Sequence, residues 1–78
     1  MFIVTYTDYS DNADFHTRLL GTCETREEAE SMVAADMAGT AHYYGDSAKI
    51  DNAAHEVWQS ESEVGRIGCV WDILESED

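Results

Sequence analysis

Apolar and polar positions alternate from the start of the chain. Residues 2–8 read Phe-Ile-Val-Thr-Tyr-Thr-Asp, and Phe2, Val4 and Tyr6 fall two apart. A two-residue period in β-branched and aromatic types predicts a strand with those three on one face. Residues 9–14, Tyr-Ser-Asp-Asn-Ala-Asp, are turn-formers. Alternation resumes over 15–23, which puts Phe15, Thr17, Leu19, Gly21 and Cys23 on one face. Two strands joined by so short a connection predict a hairpin.

The period then changes. Thr25-Arg26-Glu27-Glu28 has the form of a capping box, in which the threonine hydroxyl accepts from the Glu28 amide and the Glu28 side chain reaches back. Ala29, Met32, Val33 and Met37 follow at spacings of three and four, one buried stripe of a helix. The helix ends at Gly39 or runs to Tyr44 and stops at Gly45. We prefer the longer form, because Tyr43 or Tyr44 extends the stripe. Residues 46–54 are polar and fit either a loop or a helical turn started by Asp51 or Asn52. Residues 55–59 read as a third strand around Val57 and Trp58. Glu61-Ser62-Glu63 with Gly65 makes a turn. Residues 66–74 form a last strand with Ile67, Cys69, Trp71 and Ile73 on one face. Residues 75–78 are a solvated acidic tail.

The predicted fold class is α+β, in the order ββαββ: an antiparallel sheet of about four strands with one amphipathic helix packed on one face. The second sheet face is left at least partly open. Length allows a single domain, residues 1–78, near the lower limit for a core that stands alone.

Charge sharpens the picture more than size does. Aspartate and glutamate number 17 against 4 lysines and arginines, a formal charge of −13 over 78 residues, or one per six. Such a field opposes direct binding to nucleic acid or to an anionic membrane and favours a basic partner. Disorder, the usual companion of strong acidity, needs low hydrophobicity. Here 44% of residues are apolar, enough for a core, so the acid belongs on a folded surface. No apolar run approaches the roughly 20 residues of a membrane span. Met1 leads directly into a strand pattern without the basic and long apolar segments of a secretory signal. These features predict a cytoplasmic protein whose Cys23 and Cys69 are reduced core residues.

Templates for catalysis and metal binding fail at named positions. There is no Cys-x-x-Cys, His-x-x-x-His or His-Glu-x-x-His, so zinc has no local signature. His16 and His55 fall in predicted strands and His42 late in the helix, where ordinary surface or half-buried roles are expected. Asp8, Ser10, Asn12 and Asp14 alternate as in the first half of a calcium loop. The sixth and twelfth positions, however, hold Ala13 and Leu19 in place of glycine and glutamate. Gly65-Arg66-Ile67-Gly68 leads into a strand, so it is no dinucleotide fingerprint. We expect no enzyme, no cofactor and no metal.

The carboxylates remain as candidate site. Glu24 and Glu28 are four apart and Glu27 and Glu30 three apart, which on a helix means about 5–6 Å. Glu61 and Glu63, if extended, lie about 6.5–7 Å apart. Nucleic acid carries a charge about every 3.4 Å per strand, so carboxylates on this scale suit a channel lined for phosphates. The expected partner surface comprises Asp8, Asp11, Asp14, Glu24, Glu27, Glu28, Glu30, Glu61 and Glu63. Tyr43 and Tyr44, with Tyr9 and Trp58, supply aromatic contacts. Helix-dipole stabilisation, ordinary turn chemistry and solubility explain many of these residues singly. They explain the shortage of lysine and arginine across the whole chain less well.

A short, acidic, proline-free chain with a β-hairpin, a Thr-x-Glu-Glu-Ala helix start (Thr25 to Ala29) and a second hairpin resembles small phage-encoded inhibitors of host defence. These are anti-CRISPR and antirestriction proteins of the DNA-mimic type. The resemblance covers the general character of the chain and carries no residue roles. It implies an inhibitor in the cytoplasm of a bacterial host cell that engages a basic protein, such as a Cas effector or nuclease, and blocks its nucleic-acid binding. The other expectation is a small homodimeric structural or assembly protein that uses the open sheet face.

Overall fold

A computed structural model of the chain describes residues 1–10, 15–59 and 67–76. The elements are β1 (Phe2–Ser10), β2 (Phe15–Cys23), α1 (Arg26–Tyr44), a 3-10 turn (Gly45–Ser47), β3 (Lys49–Asp51), β4 (Glu56–Trp58) and β5 (Ile67–Glu75). One helix packs on a five-stranded sheet of order β2-β1-β5-β4-β3, with every pairing antiparallel. The α+β expectation holds. The strand count is corrected from about four to five, because Lys49–Asp51 pairs with β4 where the sequence suggested a loop or helical turn.

The two long strands at the ends of the chain meet in the middle of the sheet. β1 pairs with β5 along its whole length, from Phe2 opposite Glu75 to Ser10 opposite Ile67. Glu75 therefore closes a strand instead of opening a tail, and the Ser76 amide donates onward to the Met1 carbonyl at 2.9 Å. The helix carries the chain from the β2 edge to the β3 edge and covers one face.

The helix forms where its cap signal stands. Thr25 is extended (φ −124, ψ 156), and its hydroxyl oxygen accepts from the Glu28 amide at 3.2 Å. The Glu28 carboxylate bends back to accept from that hydroxyl at 3.1 Å, a variant of the expected reciprocal box. Such a cap contributes about 1 kcal/mol. The helix passes through Gly39 and ends at Gly45, whose amide bonds back to the carbonyls of Ala41 and His42. At φ 74 and ψ −144, Gly45 lies outside the left-handed helical well, in a region that a side chain would make costly.

The core lies between helix and sheet. Ala29, Val33 and Met37 are buried from above; Val4, Cys23, Val57, Cys69 and Trp71 are buried from below. The faces expected for β1 and β5 are those observed, and both cysteines are buried free thiols. The face assigned to β2 is corrected. Val4 opposes Gly21 but Thr5 opposes Leu19, so a bulge at Leu20 interrupts the alternation. Gly21 and Cys23 face the helix, while Thr17 and Leu19 stand on the other face. There the Thr17 and Thr7 hydroxyls share a hydrogen bond of 2.9 Å.

The third predicted strand is shortened. His55 belongs to the β3–β4 turn with φ 57, and its carbonyl accepts from the Trp71 amide at 2.9 Å. Asp51 starts that turn by accepting from the Ala54 amide at 3.0 Å. The chain extends 43 × 25 × 17 Å. Its smallest dimension has room for one helix on one sheet, given layer spacings of about 10 Å. The second sheet face, with Ile3, Leu19, Val70 and Leu74, has no covering layer among the described residues.

Candidate functional site

Between the C-terminal half of α1 and one end of the sheet lies a groove of about 570 Å³. Its walls are Asp36, Gly39, Thr40, Tyr43 and Tyr44 from the helix and Asp8, Gln59, Ile67 and Cys69 from the sheet. The backbone explains the convergence. Asp8 on β1 opposes Cys69 on β5. Positions 36, 40 and 44 recur at four-residue spacing, one line along the helix above them.

Asp36 interrupts the apolar stripe, and the reason lies beneath it. Trp71 is 1% exposed, and its indole N–H donates to the Asp36 Oδ2 at 2.8 Å. A buried indole donor needs an acceptor. The bond engages one oxygen of the Asp36 carboxylate, a residue that lines the groove wall. Among the described residues, none forms a salt bridge with Asp8 or donates a hydrogen bond to its carboxylate.

The groove floor is neutral. The Tyr44 hydroxyl and Cys69 sulfur are 3.8 Å apart. Burial first, then the Cys69 contact and the charge of Asp8, raise the Tyr44 phenol well above its ordinary value. Burial also pushes the Cys69 thiol up, against the Tyr44 contact and with help from the charges of Asp8 and Asp36. Neither group is set up as a nucleophile or base near neutral pH. Among the described residues no three His, Cys, Asp or Glu side chains group to hold a metal.

The structure brings together only some of the sequence candidates. Asp8, Tyr43 and Tyr44 meet in the groove, with Tyr43 85% exposed and its ring centroid 6.0 Å from that of Tyr44. Glu27, Glu28 and Glu30 are exposed at the other end of the helix. That helix has 19 residues, about 28 Å at ~1.5 Å per residue, so the two ends lie beyond the ~10 Å screening length of ordinary salt. Glu24 precedes the cap, so the helical spacing assigned to Glu24 and Glu28 does not apply. Glu30 lies 3.7 Å from Arg26 in an exposed pair of small energetic weight. Asp11, Asp14, Glu61 and Glu63 lie outside the described residues, as do positions 11–14 of the calcium-like stretch.

Tyr9 and Trp58 form a separate feature on the uncovered sheet face, with centroids 5.5 Å apart. Sequence reasoning missed Asp36, Thr40, Gln59 and Ile67 and took Cys69 for core alone. Asp36 did carry a signal: a carboxylate inside an apolar stripe calls for a buried donor across from it. Among the described residues no helix is long and apolar enough to cross a membrane. Compared with protein-family models, curated proteins and solved structures, the chain matches none.

Proposed function

We propose that this protein is an acidic inhibitor or binding module that engages a basic, nucleic-acid-handling protein and blocks its nucleic-acid site. The observation that carries this reading is uncompensated charge on a folded surface. Among the described residues, one ion pair, Arg26–Glu30, sets a base against the acid. Like charges at this density oppose the compact state, and a basic partner offsets that cost. The anti-CRISPR and antirestriction resemblance supports the same direction, and on this reading the protein acts in the cytoplasm of a bacterial host cell.

Affinity capture from a bacterial lysate tests the proposal. The expected captured protein is basic, binds nucleic acid, and is displaced from the acidic bait by DNA or RNA. Its affinity falls at least tenfold as salt rises from about 0.1 M to 1 M, because the screening length shrinks from ~10 Å to ~3 Å. Recovery of the bait alone, with nuclease and Cas activities untouched, ends the reading.

The uncovered sheet face favours a second reading, a homodimeric structural or assembly protein. Leu19 and Leu74 are 63% and 52% exposed there. A dimer built on that face holds together at high salt, so sedimentation at both salt concentrations separates the two readings.

A further inference from the structure

We infer that the groove between α1 and the Asp8 end of the sheet is the receptor for an arginine side chain of the partner polypeptide. This deepens the acidic-binder reading and rests on it. Three properties of the groove lead there. The first is volume: about 570 Å³ falls within the roughly 300–1,000 Å³ of clefts that hold ligand groups.

The second is charge placed on opposite walls. Asp8 comes from the sheet and Asp36 from the helix, and the negative field of both reaches Cys69 on the floor. Asp36 is fixed by its bond from the Trp71 indole at 2.8 Å, so it does not have to be ordered when a ligand arrives. Its second oxygen and the Asp8 carboxylate remain to accept from a cation.

The third is the material between them. Tyr43 offers an exposed aromatic ring, and Ile67, Gly39 and the Tyr44 ring offer apolar surface for a methylene stem. A guanidinium uses all of this. It is planar, donates to carboxylates through several N–H groups, stacks on a tyrosine face, and is more weakly hydrated than an ammonium. Lysine would use the charge and leave the rest. The Glu24–Glu30 end of the helix borders no part of this groove; Glu30 lines a separate, smaller pocket of about 230 Å³, where it is the single carboxylate and no tyrosine or tryptophan stands beside it.

The test titrates the full chain with an arginine–glycine peptide, a lysine–glycine peptide of equal length and charge, a neutral glycine–serine peptide, and butylguanidinium, followed by amide NMR shifts at low salt. The arginine peptide is expected to bind several-fold tighter than the lysine peptide and to shift residues 36–44, 8 and 69. Asp8→Asn, nearly isosteric, and Tyr43→Ala, at a position 85% exposed, each weaken it about tenfold. Glu27→Gln, at the far end, changes it by about twofold or less.

Equal binding of the two basic peptides, or equal losses from Asp8→Asn and Glu27→Gln, overturns the groove assignment while the acidic-binder reading stands. Butylguanidinium binding as tightly as the peptide makes the groove a small-molecule site and removes the polypeptide assignment. If no basic peptide binds better than the neutral one, both the groove and the acidic-binder reading fall.

Discussion

Trp71→Ala is expected to destabilise the protein by about 3–5 kcal/mol, the range for emptying a buried aromatic position. Trp71 is the largest fully buried side chain, at 1% exposure, on the central strand opposite Tyr6 and beneath the helix. A chain of 78 residues has a total stability of roughly 4–12 kcal/mol at ~0.05–0.15 kcal/mol per residue. The substitution therefore removes much or all of the margin. Its polar half is separable. Trp71→Phe keeps most of the bulk and loses the donor to Asp36; Asp36→Ala keeps the bulk and strands a buried N–H, at about 1–3 kcal/mol. Asp36→Asn retains an acceptor and should cost least of the four. Urea unfolding followed by circular dichroism ranks them, with the midpoint shift read at constant slope. Urea is preferred to guanidinium chloride, whose salt would screen the −13 charge and shift every midpoint. A loss below about 1 kcal/mol for Trp71→Ala would contradict the placement of the indole in the core.

The Trp71–Asp36 pair also shows where sequence legibility stops. Trp71 is read from the core-facing period of β5, whereas Asp36, an acid amid Val33, Met37 and Thr40, goes unread in the sequence. Their meeting depends on a contact between residues 35 apart, set by how α1 crosses the sheet. Local signals with local causes were legible, such as the Thr25 cap, the Ala29–Val33–Met37 stripe and the alternation of Val4 and Tyr6. The Leu20 bulge was not, because alternation within β2 says nothing about the register of its partner.

β3 was not legible either. Lys49, Ile50 and Asp51 are all exposed and show no buried face. They form a strand because Ile50 lies opposite buried Val57 and β4 needs a neighbour. The candidate site divides in the same way. Asp8, Tyr43 and Tyr44 were named for charge and aromaticity, which sequence displays. That they share a groove, and that Glu27 and Glu30 do not, depends on which end of a helix of about 28 Å lies over which end of the sheet.

Two glycine-to-alanine substitutions in this chain should act in opposite directions, and one carries the second large effect. Gly68 sits on β5 between Tyr9 on β1 and Trp58 on β4, directly opposite both. With no side chain between them, the two rings approach to 5.5 Å between centroids at an interplanar angle of 43°. The Trp58 indole is held further by its donation to the Glu56 Oε1 at 2.7 Å. A Cβ at position 68 would fall 2.5 Å from the Val57 carbonyl oxygen, 2.5 Å from the Trp58 Cε3 and 2.9 Å from the Trp58 Cα. Rotating the indole relieves only one of these contacts. The other two are backbone, so β4 must move, and Val57 at 0% exposure moves with it. Gly68→Ala should therefore cost at least the upper end of the ~1–3 kcal/mol typical of overpacking, with a changed near-ultraviolet dichroism from the Tyr9–Trp58 pair. Gly39→Ala is the internal control. A Cβ there, at the open groove wall, meets nothing within 4 Å, and alanine in a helix gains about 0.5–1 kcal/mol over glycine. Opposite signs in thermal unfolding would locate the close approach at Gly68 itself; a small loss there would mean that β4 and β5 lie farther apart than 2.5 Å allows.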